Sequence, residues 1–123
     1  MMDSSIFQKV FDELEKYLDL SWEKLIVYLE YGDASYSIDF YIKNSYGYTK
    51  CYDLPDIDES ELDQSFHKID EIVSEERKAH EELWSNMTMI VENTGDMHTD
   101  FDYTDLSNCS YQYYKEWKKK YLV

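Results

Sequence analysis

The segment KLIVYLEYGDASYSIDFYIK, residues 24–43, decides the fold because its side chains alternate in polarity with a period of two. Every second position is apolar in both halves: Leu25, Val27 and Leu29 within residues 23–31, then Tyr36, Ile38, Phe40 and Ile42. Between them, YGDAS (31–35) has the composition of a turn. Because this period is typical of strands with one buried face, the segment predicts a β-hairpin.

Helical periodicity flanks this hairpin on both sides. Residues 4–19 and residues 59–83 carry apolar side chains at spacings of three and four, which predicts two amphipathic helices. Asp58 and Glu61 have the spacing of a capping box at the start of the second helix. The apolar face predicted for the second helix contains Leu62, Phe66, Ile69, Val73 and Leu83.

The remaining elements are shorter. Residues 48–52 can form a third strand before Pro55 ends this part of the chain. After Trp84 the period returns to two on both sides of NTGD (93–96), which predicts a second hairpin. A last helix is predicted from Ser110 to Tyr121.

The element order is therefore α-β-β-β-α-β-β-α within one domain, residues 1–123. Short connections within each group of strands favour antiparallel pairing. The sequence predicts the α+β class, with one antiparallel sheet of about five strands and helices packed on one face.

The charge limits the possible partners. The net charge is −15, and residues 52–83 alone carry 12 acids and 3 bases. Phosphate binding requires Lys and Arg, so we expect no direct contact with nucleic acid and none with an anionic membrane. Six carboxylates lie on the predicted solvent face of the second helix and form what we call the acidic ridge: Asp63, Asp70, Glu71, Glu75, Glu81 and Glu82.

Cys51 and Cys109 are far apart and lack the spacing of a zinc site. We expect two free thiols in a reducing cytoplasm, although a disulfide between them is geometrically conceivable. The chain has neither the pattern of a signal peptide nor an apolar run long enough to span a membrane. No sequence motif indicates a cofactor.

One motif suggests an enzyme. DFDYT (100–104) fits the Asp-x-Asp-x-Thr nucleophile motif of haloacid-dehalogenase-type phosphotransferases. That motif follows the first strand of a parallel sheet, whereas here only 19 residues follow Thr104. Asp100 and Asp102 are instead expected on the wet side of a half-buried strand. The sequence contains no catalytic constellation, so we do not expect an enzyme.

Histidines raise two further possibilities. His98, Asp100 and Asp102 project from one strand face with Asp105 nearby, a set that a hard cation could use, but no calcium-loop pattern supports a metal site. HEELW (80–84) starts like the zinc-protease HExxH motif but lacks its second histidine. His80 falls on the apolar helix face, which predicts core packing or an internal hydrogen bond, and His67 falls on the solvated face.

Four motifs recur together in one order. They are WEKLIVYLEY (22–31), W-x-N-x-T-x-x-x-E (Trp84, Asn86, Thr88, Glu92), FDYTDLS (101–107) and W-K-x-K-Y-L (117–122). From about residue 5 to the end, the chain resembles the YezG-like antitoxin, or immunity, family of Gram-positive bacteria. It departs from that pattern after Ser107, where NCSYQYYKE (108–116) replaces an acidic stretch containing Pro and Arg.

The resemblance implies an immunity protein that binds and neutralises a cognate toxin, with no chemistry of its own. Such toxins include LXG-type nucleases exported by type VII secretion systems, and a basic C-terminal nuclease domain would suit an acidic partner. The alternative is an acidic adaptor or nucleic-acid mimic that binds basic proteins broadly. Thirteen tyrosines could supply interface anchors. The candidate partner-binding residues are Asp63, Asp70, Glu71, Glu75, Glu82, Asp100, Asp102, Tyr111, Tyr113 and Tyr114.

Overall fold

The computed structural model describes residues 5–32, 35–81, 83–106 and 108–123. Its elements are α1 (Ser5–Leu14), β1 (Lys24–Tyr31), β2 (Tyr36–Asn44), β3 (Gly47–Lys50), α2 (Glu59–Ala79), β4 (Asn86–Glu92), β5 (Met97–Asp102) and α3 (Ser110–Tyr121). Single 3-10 turns follow α1 and β3. The α+β class and the predicted order of the elements are confirmed.

One antiparallel sheet of five strands has the order β3-β2-β1-β4-β5. The hairpin of residues 24–43 lies at its centre, where Val27 is paired with Phe40 on one side and with Met89 on the other. Both partners of Val27 are apolar, so the register places one continuous apolar surface across the three central strands.

The first sheet face carries α1 and α2. Val10 and Leu14 of α1 and Leu62 and Ile69 of α2 are fully buried in one core with Phe40. Each side chain of this kind stabilises the fold by about 1.5–3 kcal/mol when removed from water. Asp58 caps α2, because its side chain accepts hydrogen bonds from the backbone amides of the first turn.

The structure differs from the prediction in the position of α3, which packs on the opposite sheet face. Trp117 lies in a second cluster with Ile26, Tyr28 and Tyr41, whose side chains point away from α1 and α2. Helices therefore cover both faces of the sheet. Ile26 and Tyr28 alternate with Leu25, Val27 and Leu29, so β1 offers apolar side chains to both faces of the sheet.

Some predicted boundaries were wrong. The second helix ends at Ala79 rather than at residue 83, and Glu81 adopts a left-handed conformation (φ 52°) that a helix cannot continue through. Leu83 is consequently 78% exposed instead of lying in the core. His80 is exposed as well, and its Nε2 lies 3.0 Å from Glu76 Oε2, so it makes the internal contact and not the core contact.

The two cysteines are free, as predicted, with Cys51 buried and Cys109 exposed. Burial raises the pKa of the Cys51 thiol to about 11, which keeps it protonated at neutral pH. In the part of the chain that the structure describes, no helix combines the length and the hydrophobicity needed to cross a bilayer.

Candidate functional site

The acidic ridge lies on the outer face of α2, away from the sheet. Asp63, Glu71 and Glu75 are exposed there, and His67 Nε2 lies 2.9 Å from Glu71 Oε1. Both side chains of that contact are open to solvent, so it contributes little to stability. These three carboxylates can meet a partner without breaking a bond that holds the fold.

Asp70 occupies a different position in the ridge. It is half-buried, and its Oδ1 accepts a hydrogen bond of 2.8 Å from the hydroxyl of Tyr31. Burial and this carboxylate raise the pKa of Tyr31 far above its ordinary range. Glu81 lies beyond the end of α2, and Glu82 is outside the described residues.

Two tyrosines outside the predicted set of partner-binding residues border the ridge. Tyr36 and Tyr52 are each 40% exposed. Partial burial and the negative charges of Asp70 and Asp63 raise the pKa of Tyr36. Tyr52 stacks edge-on against Phe66, with ring centres 6.4 Å apart. Tyrosine is enriched at protein interfaces, and only the folded chain brings these two rings beside α2.

On the opposite face, Trp117 fixes α3 to the sheet. Its indole N–H donates to Thr88 Oγ1 at 2.8 Å, and the Thr88 hydroxyl donates to Asn86 Oδ1 at 3.0 Å. The Asn86 amide in turn donates to the carbonyl of Leu29 at 3.2 Å. Since all three side chains are buried, this chain of bonds satisfies polar groups that would otherwise destabilise the core.

Tyrosine hydroxyls from α3 bind carboxylates of β5. Tyr113 donates to Asp102 Oδ2 at 2.8 Å, and Tyr121 donates to Asp100 Oδ2 at 2.8 Å. Burial, followed by the bond to Asp102, raises the pKa of Tyr113, and burial with the bond to Asp100 raises the pKa of Tyr121 to about 12. Asp100 and Asp102 are therefore bonded within the fold, although each remains partly exposed.

The same pairing occurs on β1, and a bond between two tyrosines joins β2 to α3. The Tyr28 hydroxyl donates to Glu30, whose second carboxylate oxygen accepts from Ser110 Oγ at 2.8 Å. The hydroxyls of Tyr41 and Tyr114 are hydrogen-bonded to each other. Thus Tyr113 and Tyr114, predicted as partner contacts, face the sheet, whereas Tyr111 is 77% exposed at the start of α3.

Lysines line the outer side of α3. Lys118 Nζ lies 5.0 Å from the ring centre of Tyr114, and Lys120 Nζ lies 5.1 Å from that of Tyr121. Lys50 reaches the same area from β3, 3.9 Å from Asp39 Oδ1. The molecule is consequently polarised, with the acidic ridge over one sheet face and a basic helix over the other.

The motif that suggested a phosphatase has a structural role. Asp102 Oδ1 accepts the Thr104 backbone amide at 2.9 Å and its hydroxyl at 2.6 Å, which forms the turn after β5. The hydroxyl bond is the main reason why the pKa of Asp102 is lowered. β5 is also the edge of an antiparallel sheet, whereas the phosphotransferase motif requires a parallel one.

The histidine beside this motif is similarly engaged. His98 Nε2 lies 2.7 Å from Asp100 Oδ1, and the other Asp100 oxygen is bound to Tyr121. Across the described ranges, no group of three or more His, Cys, Asp or Glu side chains is arranged to hold a metal ion.

A cleft of about 340 Å³ opens between β5 and α3. Its lining residues are Asn86, Asp100, Phe101, Asp102, Tyr113, Glu116, Trp117, Lys120 and Tyr121. Two of its three carboxylates, Asp100 and Asp102, are bound by tyrosines, and Glu116 accepts a hydrogen bond from Gln112. Three carboxylates and one lysine suit the binding of a cationic side chain.

Comparison with known proteins identifies the family. The profile of the family described as "Immunity protein YezG-like" matches residues 4–122. The chain belongs to this family. It is also 25% identical over 112 residues to immunity protein YezG of Bacillus spizizenii (strain ATCC 23059 / NRRL B-14472 / W23), covering 82% of this chain and 68% of the relative. Immunity protein YezG of Bacillus subtilis (strain 168) is 23% identical over 110 residues, covering 82% of this chain and 73% of the relative.

The residues that carry the resemblance to the YezG-like family cluster in the structure. Asn86, Thr88 and Trp117, from two separate motifs, form the buried chain of hydrogen bonds beneath α3. Trp84 is fully buried on the other face, and Arg77 donates two hydrogen bonds to its carbonyl, at 2.9 and 2.7 Å. These buried motif residues therefore build the scaffold.

Sequence reasoning missed the tyrosine–carboxylate pairs that join α3 to β5 and Tyr28 to Glu30. A signal was present in β1, where Tyr28 and Glu30 are two positions apart and so share a strand face. The pairs of Tyr113 with Asp102 and of Tyr121 with Asp100 have no such local signal, because all the helices were predicted on one sheet face.

Proposed function

We propose that this chain is an immunity protein that binds the toxic domain of a cognate secreted toxin and blocks it sterically and electrostatically, without catalysis. The two relatives reported above are both immunity proteins by name. We further propose that the toxin is a nuclease of the LXG, type VII-secreted kind with a basic C-terminal domain. The protein would act in the cytoplasm of the producing cell.

The observation that carries the nuclease proposal is the exposed acidic ridge on α2. A nuclease is basic where it grips phosphates, so Asp63, Glu71 and Glu75 offer it charges of the opposite sign. Asp70 adds a fourth negative charge to this surface, although its carboxylate is hydrogen-bonded to Tyr31. Such an arrangement accelerates association and favours basic partners over acidic ones.

The other candidate residues have different parts in this proposal. Tyr113 and Tyr114 act indirectly, by holding α3 on the sheet. Asp100 and Asp102 combine a bond to a tyrosine with a partly exposed carboxylate and remain candidate contacts. Tyr111 remains a candidate anchor because its ring is exposed. Glu82 remains a candidate from its sequence alone.

The test is inhibition of a purified candidate toxin domain, measured as DNA or RNA cleavage and as binding kinetics. The triple variant Asp63→Asn, Glu71→Gln, Glu75→Gln should associate roughly tenfold more slowly at low salt. A matched control, Asp12→Asn, Glu15→Gln, Glu23→Gln, removes the same charge from exposed positions off the ridge. It should associate nearly as fast as the wild type.

Salt separates this proposal from the broad acidic adaptor. A shaped interface should retain most of its affinity at roughly half-molar salt, whereas a purely electrostatic mimic should lose nearly all of it. Equal inhibition of unrelated basic nucleases would favour the mimic. Failure of the wild-type protein to bind any toxin domain would overturn the immunity proposal.

A further inference from the structure

The two edges of the sheet differ in protection. β3 has four residues, carries Lys50, and its Tyr48 hydroxyl reaches the carbonyl of Val123 at 3.5 Å. Short length and an edge lysine are standard obstacles to the addition of another strand. β5 has six residues, and residues 92–105 contain five acids and no lysine or arginine. Only the β3 edge has these protections.

The peptide groups of β5 that face outward can be identified from its pairing. The Glu92 amide donates to Asp96 at 2.9 Å, and hydrogen-bonded pairs alternate along an antiparallel ladder. His98, Asp100 and Asp102 therefore direct their backbone groups toward β4. Met97, Thr99 and Phe101 direct theirs toward the open edge, where they can pair with an additional strand.

The side chains along this edge have a regular pattern. Met97 and Phe101 are each 37% exposed on the α1 side of the sheet, and the Phe101 ring lies 6.4 Å from that of Phe7. Asp100 and Asp102 lie on the α3 side, in the cleft that also contains Glu116 and Lys120. Three carboxylates against one lysine leave this cleft negative.

We propose that the open edge of β5 accepts an extended segment of a partner protein in which basic and apolar residues alternate. Side chains of an added strand point alternately to the two sheet faces, about 4.5–5.5 Å from their neighbours on β5. Lys or Arg residues would lie beside Asp100 and Asp102, and apolar residues would lie beside Met97 and Phe101. That this partner is the toxin rests on the proposed function.

Charge argues against a second copy of this chain as the occupant. Two β5 edges paired together would bring the Asp100 and Asp102 carboxylates of both copies close to one another. Like charges on neighbouring strands destabilise a sheet, and each copy carries a net charge of −15. A basic segment of another protein removes this repulsion.

The first test uses two synthetic peptides of the same composition. One alternates Lys and Val strictly over eight residues, and the other has the order Lys-Lys-Val-Val repeated. Only the first can place all its lysines on one face of an added strand. We expect it to bind the full-length protein at least roughly tenfold more tightly in calorimetry or fluorescence anisotropy. Equal affinities would overturn the proposal.

Thr99→Pro is the decisive variant, because it removes an outward N–H without removing a hydrogen bond to β4. Proline is tolerated at such positions of edge strands. The variant should keep the wild-type circular dichroism spectrum and lose the preference for the alternating peptide. Thr99→Val keeps the N–H and nearly the same shape, so it should bind like the wild type. Unchanged peptide preference in folded Thr99→Pro would overturn the proposal.

A measurement on the wild type avoids dependence on any variant. Binding of the alternating peptide should slow the hydrogen exchange of the Met97, Thr99 and Phe101 amides, which face outward. The same amides should be unaffected by the shuffled peptide. Protection located elsewhere, with none at these three amides, would overturn the proposal even if the peptide binds.

The toxin domain then separates the two proposals. If it binds the wild type and Thr99→Pro equally, the immunity proposal stands and the β5 edge is not its contact. If it binds Thr99→Val like the wild type but Thr99→Pro at least roughly tenfold more weakly, the edge belongs to the toxin interface. If it does not bind the wild type at all, the immunity proposal fails, and the peptide measurements alone decide the chemistry of the edge.

Discussion

The two faces of the sheet hold their helices by different chemistry. Under α1 and α2 the contact is mainly aliphatic and aromatic, with Val27, Leu29 and Phe40 excluded from water. A hydroxyl–carboxylate bond, from Tyr31 to Asp70, also lies on this face. Under α3 the contact is made of rings whose hydroxyls reach carboxylates, as Tyr113 does with Asp102. Only Trp117 of α3 is fully covered.

This difference assigns different tasks to the two faces. Apolar burial is insensitive to pH, so the α1–α2 face should set the global stability of the fold. Hydrogen bonds to carboxylates depend on the protonation state of both groups and on the bond angle. The α3 face should therefore define the position of one helix. We therefore expect α3 to detach before the rest of the protein unfolds.

Truncation of the anchors should give the largest effects. Phe40→Ala and Trp117→Ala should each lower the free energy of unfolding by about 3–5 kcal/mol, because each leaves a cavity in its core. Phe40→Ala should weaken amide protection throughout the sheet, whereas Trp117→Ala should first expose the amides of α3. Urea denaturation and hydrogen exchange measure the two quantities. Identical exchange patterns in the two variants would contradict the division between the faces.

Removal of two tyrosine hydroxyls should give a smaller effect. The double variant Tyr113→Phe, Tyr121→Phe keeps the rings but loses the bonds to Asp102 and Asp100, which should lower the free energy of unfolding by about 1–3 kcal/mol. Tyr111→Phe is the matched control, since that side chain is 77% exposed. It should change the stability by less than about 0.5 kcal/mol. Equal values for the two would mean that these bonds do not hold α3.

Alkaline pH should act mainly on the α3 face. In the folded protein the pKa of Tyr121 is raised to about 12, above the ordinary tyrosine value of about 10. The unfolded chain therefore loses this proton first, and the stability that Tyr121 contributes declines as pH rises from about 10 through 12. Melting temperatures between pH 8 and 12 should fall less steeply for Tyr121→Phe than for the wild type. Parallel curves would contradict this assignment.

Acid should produce the smallest effect, and here stability falls as pH decreases. The pKa of Asp102 is lowered chiefly by the Thr104 hydroxyl, so its contribution is present above the ordinary value of about 3.9. That contribution is lost as pH falls through the lower pKa of the folded state. Asp102→Asn and Thr104→Val should both flatten the acid limb of a pH–stability curve. An unchanged slope in both variants would show that this turn does not contribute.

Much of the fold was predictable because its determinants are local. The alternation in residues 24–43 and the helical spacing in residues 59–79 depend on near neighbours only. The predicted second helix was too long because apolar Leu83 continues the helical spacing beyond Glu81. The spacing does not reveal that the backbone of Glu81 is left-handed. Left-handed backbone at a non-glycine residue has no reliable sequence signal.

The candidate site was less predictable because it combines distant segments. The exposure of Asp63, Glu71 and Glu75 followed from helical spacing within one element. The bonds of Asp100 and Asp102 did not, since their tyrosine partners come from a helix that was predicted on the wrong side of the sheet. The polar–apolar alternation of a strand is the same whether its carboxylates contact water or a tyrosine hydroxyl.

By itself, the sequence determined the α+β class, the order of the elements and an acidic protein resembling the YezG-like family. These features depend on periodicity, composition and short motifs, which are properties of neighbouring residues. Only the tertiary structure decided that α3 lies opposite α1 and α2, that its tyrosines hold the β5 carboxylates, and that β5 is an open edge. Those features depend on which surface each element buries, and burial is settled when all elements pack together.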